Sequence, residues 1–276
     1  MEYVNVSGLR VDGRRPHEVR RVRCRLGLFG WADGSTLFEQ GNTKVLAVVH
    51  GPRELQRRSE GSHDAAVLHV EYSMAPFAAS ERRRRRVGDR RNVDAATAVR
   101  QSLACVIDAQ QYPRSAIDIS LYVLQADGGV LAASINAATL ALIDAGIAVR
   151  DFVVGCSVVY IGKTALLDPN FVEASSGGAE MALAITPSDG KCTLCTMEAR
   201  LPLEALEVRG QGGEWARAHS VMELSFHHTR RLLPAAAQQA NATAQPCLPP
   251  TSRAPPPRTP FLGDARAGDG GMQGCV

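Results

Sequence analysis

No apolar run in this sequence is long enough to span a bilayer, so no transmembrane helix is expected. The opening MEYVNVSGLRVDGRR also lacks the basic-then-apolar layout of a secretory signal, and the two absences together predict a soluble intracellular protein. A regular cysteine framework is missing as well: the seven cysteines, at 24, 105, 156, 192, 195, 247 and 275, are scattered, which argues for a reducing compartment. Cys192 and Cys195 have the spacing of a metal or redox pair. No second Cys pair or His pair accompanies them, and residues three apart on a strand point to opposite faces, so chance spacing is expected and no metal site is predicted. His227 and His228, adjacent on a predicted helix, do not converge either. Charge is not in large excess: the formal net charge is +3, so an argument for nucleic acid must rest on where the basic residues cluster.

What is present, in 276 residues, is enough sequence for one globular domain and a tail. Val19 to Phe29 alternates between apolar and basic residues as a half-buried strand does. Ser35 to Glu39 and Thr43 to His50 are two more strands, joined through Gln40-Gly41-Asn42, a good hairpin sequence, so the chain opens as a β-meander. Gly51 to Asp64 reads as a polar loop and Ala66 to Ser73 as a strand, with His69 on a solvated or interface face. A helix is predicted over Asp94 to Ala109, with Ala95, Val99, Leu103 and Val106 at helical spacing. Ala116 to Gln125 follows as a buried strand showing Ile117, Ile119, Leu121 and Val123 on one face. Further strands are predicted at Asp151 to Tyr160, Lys163 to Leu167, Met181 to Thr186 and Cys192 to Glu198, the last two joined through Pro187-Ser188-Asp189-Gly190. A final helix is predicted over about Glu214 to Ala237. From residue 239 the composition turns to Pro, Ala and Gly, which predicts a disordered tail.

Two stretches carry chemistry. The first is LYVLQADGGVLAASINAATLALIDAG, from Leu121 to Gly146, where a buried strand meets a nearly all-apolar helix through Gly128 and Gly129. With no side chains at the turn, backbone N–H groups and the positive end of the helix dipole could face a phosphate, although a Gly pair can equally serve only as a tight turn. Gly146 closes the helix where glycine permits a left-handed cap. The second is ERRRRRVGDRR, with seven arginines in eleven residues. A charge run is usually a solvated loop. RNA contact is favoured here because the run leads into a helix, which would hold Arg90 and Arg91 more rigidly than Arg82, Arg83, Arg84, Arg85 and Arg86.

In this order the motifs resemble the ribonuclease PH family. The resemblance is carried by LRVDGRRPHEVR, ADGSTLFEQGNTKVLAVVHGPRE, VEYSMAPF, GDRR, PRSAIDI, VLQADGG, NAATLALIDAGI and RDFV, spread over residues 9 to about 200. It implies an α/β (α+β) fold of the ribosomal protein S5 domain 2-like type, with mixed sheets and packed helices. The domain would span 9–238, between an extension at 1–8 and a tail at 239–276. It further implies a six-subunit exosome-type ring of ribonuclease PH-like subunits, threaded by single-stranded RNA, capped by S1/KH proteins and joined by hydrolytic nucleases. Active members cleave by phosphorolysis.

Against that pattern the chain departs at several points. In active members Thr or Ser and then Arg follow the Gly-Gly and grip phosphate; here Val130 and Leu131 stand there, so Gly128 and Gly129 would be a remnant of a phosphate site. Of the two family carboxylates, Asp168 matches the first and Ala174, beside Glu173, replaces the second, so Asp168 is at most a vestigial catalytic residue or a strand-end turn residue. Arg90 and Arg91 match an RNA-contacting pair, which Arg82 to Arg86 enlarge, while Ala65 stands in place of another channel arginine. The expectation is therefore an RNA-binding structural subunit serving rRNA processing and mRNA turnover in nucleus, nucleolus and cytoplasm, with no cofactor and no membrane partner. The alternative is an active phosphate-dependent 3′ to 5′ exoribonuclease using inorganic phosphate and Mg2+, and a third reading is a free-standing, homo-oligomeric RNA-binding or tRNA-trimming protein.

Overall fold

The two-residue period of a strand puts Val45, Ala47 and Val49 of TKVLAVVH on one face, where they are fully buried. In the computed structural model, which describes residues 3–5, 8–55, 64–82, 88–161 and 164–197, this strand is the centre of a five-stranded sheet. Strands β1 (Val22–Leu26), β2 (Gly34–Gln40) and β3 (Thr43–Glu54) form an antiparallel meander. Strand β4 (Val67–Met74) lies at the far edge and pairs in parallel with β5 (Ser115–Gln125), which is antiparallel to β3, giving the order β1-β2-β3-β5-β4. Register places Val45 opposite Val123, Ala47 opposite Leu121 and Val49 opposite Ile119, a continuous apolar surface.

Helix α1 (Arg90–Ala104) packs along β4, and helix α2 (Val130–Asp144) packs against β2 and β3 on one side and against a second sheet on the other. That second sheet is antiparallel with the order β7-β6-β8-β9, where β6 is Val154–Ile161, β7 Thr164–Leu167, β8 Ala179–Ile185 and β9 Cys192–Met197. Being covered on both sides explains why α2 is apolar nearly all round: ten of its residues, from Ala132 to Leu142, are buried. It ends with Gly146 at φ +70°, as its sequence predicts. Mixed sheets with packed helices are the predicted fold class.

The structure corrects several sequence boundaries. Helix α1 starts at Arg90 and stops at Ala104, where the sequence pattern predicts Asp94 to Ala109. Its first turn is polar and shows no apolar period, and the N–H groups of Asn92 and Val93 donate to the Asp89 carbonyl to begin it. At the other end Ile107 bridges to Val149, drawing the chain off the helix axis. The predicted loop from Gly51 begins as strand, since β3 continues to Glu54 after a register shift between His50 and Arg53. A short helix, α3 (Phe171–Ala174), follows β7 unforeseen. On β9 a register shift at Ala184/Ile185 interrupts alternation, so Cys192 and Cys195 are both exposed and the opposite-face argument does not apply. The predicted helix over 214–237 and the tail lie outside the described residues. Among the described residues no helix is long and apolar enough to cross a membrane.

Candidate functional site

Asp168 follows β7 in a left-handed conformation, φ +53°, and is 2% exposed. Its carboxylate is held by the segment that precedes β1. Arg20 donates to Oδ2 from its backbone N–H and its Nε, each at 2.9 Å, and to Oδ1 from Nη2 at 2.7 Å. Arg14 Nη1 lies 3.8 Å from Oδ2. Arg20 continues to the Gly-Gly turn, with Nη1 donating to the Asp127 carbonyl at 2.6 Å and Nη2 to the Gly128 carbonyl at 3.3 Å. A parallel pair lies close by: Arg10 donates to Glu173 through Nε (3.0 Å) and Nη2 (2.8 Å), and to the Leu167 carbonyl through Nη1 (2.7 Å). Burial pulls the Arg10 guanidinium below its ordinary pKa, with the neighbouring Arg14 adding to the fall and Glu173 opposing it.

The Gly-Gly turn is buried under the same segment. Gly128 and Gly129 have φ +76° and +60°, and a Cβ on Gly128 would strike the carbonyl oxygen of Pro169. A Cβ on Gly129 would come within 2.6 Å of the Ser157 hydroxyl, which is buried with no hydrogen-bond partner among the described residues. No side chain caps the start of α2. What faces an anion there is the first-turn backbone, the helix dipole and the neighbouring Ser157 hydroxyl, since Val130 and Leu131 carry neither a hydroxyl nor a guanidinium. A divalent cation fits no better at Asp168, because both carboxylate oxygens already accept from Arg20.

The arginine-rich face is solvent exposed. Arg90 and Arg91 occupy the first turn of α1, and Arg82 is exposed beyond β4. Arg83, Arg84, Arg85 and Arg86 lie outside the described residues. Arg90 Nε stands 3.8 Å from Asp94 Oδ2 in an open pair. Cations at a helix N-terminus oppose its dipole by about 0.3–1 kcal/mol each, so helix stability does not account for their placement. The structure therefore separates two groups: an exposed cationic helix start, and a buried turn with its carboxylate already paired.

Sequence reasoning missed Arg10, Arg14 and Arg20, which lie in the quoted motif LRVDGRRPHEVR but which meet the carboxylates of Asp168 and Glu173, 148 to 163 residues away along the chain. It also missed a cleft of about 520 Å³ beside Asp127, walled by Phe77 and Phe171. The signal for that cleft was two phenylalanines with no apolar period around them.

The two sheets on a shared helix, with this turn and this helix start, define the class of 3′ exoribonuclease-like proteins. The chain belongs to the 3′ exoribonuclease (RNase PH) family: domain 1 of the family matches residues 18–148 and domain 2 matches residues 151–208. It is 47% identical over 236 residues to the exosome complex component RRP41 homolog of Arabidopsis thaliana, covering 84% of this chain and 98% of that one. It is 48% identical over 208 residues to human exosome complex component RRP41, covering 75% and 85%. Among solved structures, rice Rrp46 superposes with a TM-score of 0.69 at 21% identity, covering 84% of this chain and all of that one. A chain of the Archaeoglobus fulgidus exosome, solved with RNA bound to the active site, superposes with a TM-score of 0.66 at 22% identity, covering 83% and 93%.

Proposed function

We propose that the chain is an RNA-binding structural subunit of an exosome ring, acting in 3′ to 5′ RNA processing and degradation without phosphorolytic activity of its own. The observation that carries this reading is the separation of the two groups: the arginines of the α1 start face solvent, where phosphate can reach them, while the turn has lost its gripping side chains and Asp168 is paired with Arg20. Similarity to RRP41 components over most of the chain supports the ring assignment. The partners are single-stranded RNA, other ribonuclease PH-like subunits, S1/KH cap proteins and hydrolytic nucleases, and the protein works in nucleus, nucleolus and cytoplasm without a resident cofactor. Native mass spectrometry of the affinity-purified chain is expected to show a six-subunit hetero-oligomer. A homo-oligomer free of other subunits would contradict the assignment.

One observation favours the second reading, an active phosphate-dependent exoribonuclease. The start of α2 has no side-chain cap, and the Ser157 hydroxyl beside it has no partner among the described residues, so an anion could still be met there by backbone and hydroxyl donors. Mg2+ and inorganic phosphate would enter only in that case.

A further inference from the structure

Strand β9 is an edge of the second sheet, on the side away from β7 and the Asp168 that follows it. Its pairing with β8 holds one extra residue. Ala184 lies opposite Leu194 and Ile185 opposite Cys192, so Thr193 has no position of its own on β8 and forms a bulge. Leu183 lies opposite Cys195. Cys192 and Cys195 therefore stand against residues two apart on β8, which puts them on one face of the sheet, about 7 Å apart along the strand. Both are exposed. The Cys192 thiol donates to the Leu194 carbonyl at 3.2 Å, which lays its sulfur along the strand against the peptide group leading into Cys195. Partial burial pushes that thiol above its ordinary value and the neighbouring Cys195 adds to the rise, as two sulfurs that repel as thiolates do. Met197, two residues beyond Cys195 on the same face and 46% exposed, adds a thioether. Among the described residues no three His, Cys, Asp or Glu side chains gather as a metal-binding group, so neither imidazole nor carboxylate joins the pair.

We infer that Cys192 and Cys195 form a two-thiolate site for a soft monovalent metal ion, Cu(I). Spacing decides between a direct bond and a bridging ion. A disulfide needs Cα atoms within about 6.8 Å and Cβ atoms within about 4.5 Å, and neighbours on one face of a strand stand at or beyond that limit. Two metal–thiolate bonds of about 2.3 Å span a sulfur separation of about 4 to 5 Å, which exposed side chains reach by rotation about χ1. The donor set decides which ion. Structural zinc takes four protein donors and catalytic zinc three, drawn from thiolate, imidazole and carboxylate, and two thiolates supply neither set. Thiolates with a thioether beside them select Cu(I). On binding, both S–H bonds break, two protons pass to solvent and two Cu–S bonds form, with no change in oxidation state. The ion takes no part in the Asp168 site, which adjoins the other edge of this sheet.

The test titrates the full-length, fully reduced chain with Cu(I) under anaerobic conditions, in competition with a chromophoric Cu(I) chelator. The wild-type chain is expected to withdraw one equivalent of Cu(I) more than Cys192→Ser/Cys195→Ser, with an ultraviolet copper–thiolate absorption that the double variant lacks. Either single variant, Cys192→Ser or Cys195→Ser, is expected to lose the same equivalent, because the ion needs both sulfurs. The chain holds seven cysteines, so Cys105→Ser, which removes an exposed thiol outside the pair, is the control and is expected to match the wild type. Both substituted positions are exposed, so the thermal melting curves of all variants are expected to overlay. Equal withdrawal by the wild type and the double variant overturns the inference. Retention of Zn(II) by the pair as firmly as Cu(I) overturns it too, since zinc requires more donors than the pair supplies. A Cys192–Cys195 disulfide in the peptide map after mild oxidation would show sulfurs that bond directly, and that result also overturns it.

Discussion

Both oxygens of the Asp168 carboxylate already accept hydrogen bonds from Arg20, in a pair whose side chains are 8% and 3% exposed. Removing one partner strands a buried charge, which costs about 3–5 kcal/mol. Asp168→Ala is therefore expected to lower unfolding free energy by that amount in urea titration, and Arg20→Ala similarly; an unchanged midpoint would show that the pair is not what fixes the N-terminal segment. Gly128→Ala meets both a left-handed φ and the Pro169 carbonyl, so a loss of more than about 1 kcal/mol is expected in the same titration. Tyr72 supplies a pH test. Burial pushes its phenol up to about 12, against a partial opposing effect of its hydrogen bond with Ser134. Because the folded value lies above the ordinary value of 10.0, the unfolded chain loses this proton first. Stability from this group is thus complete below about pH 10 and declines as pH rises toward 12. Urea titrations across that range should show a decline that Tyr72→Phe reduces.

Helix α1 opens with two cations and has no acidic residue in its first turn. Removing them relieves an unfavourable dipole contact, so Arg90→Ala/Arg91→Ala is expected to leave thermal stability equal or slightly raised while RNA affinity falls. The same variant should lower the slope of log affinity against log salt by about 0.7 for each phosphate that is no longer neutralised; an unchanged slope would remove the pair from the binding surface. This helix also marks where local pattern stops being informative. Strands β3 and β5 were legible because alternation reports directly which face is buried, and α2 because an apolar circumference requires cover on both sides. The start of α1 was not, since Arg90, Arg91 and Asn92 show no apolar period. The bulge on β9 and the four residues of α3 are set by tertiary pairing. Of the site, the Gly-Gly turn and the arginine pair could be read from local sequence, whereas the Arg20–Asp168 and Arg10–Glu173 pairs join distant segments that local spacing does not relate.

For the whole molecule, the family membership describes an exosome ring subunit in 3′ to 5′ RNA processing, and the proposed function adds that it holds RNA for chemistry performed elsewhere. Restoring one missing group should not restore turnover. Leu131→Arg returns a cation beside the turn but leaves Ala174 without a carboxylate and Asp168 paired with Arg20, so the single variant is expected to stay inactive. The most direct measurement is release of nucleoside diphosphates from end-labelled single-stranded RNA by the purified ring, free of hydrolytic subunits, with and without inorganic phosphate and Mg2+. The expected result is bound RNA and no diphosphate product under either condition. Phosphate-dependent diphosphate release that vanishes when this chain alone is mutated at Gly128 or Gly129, in rings that still assemble, would contradict the account.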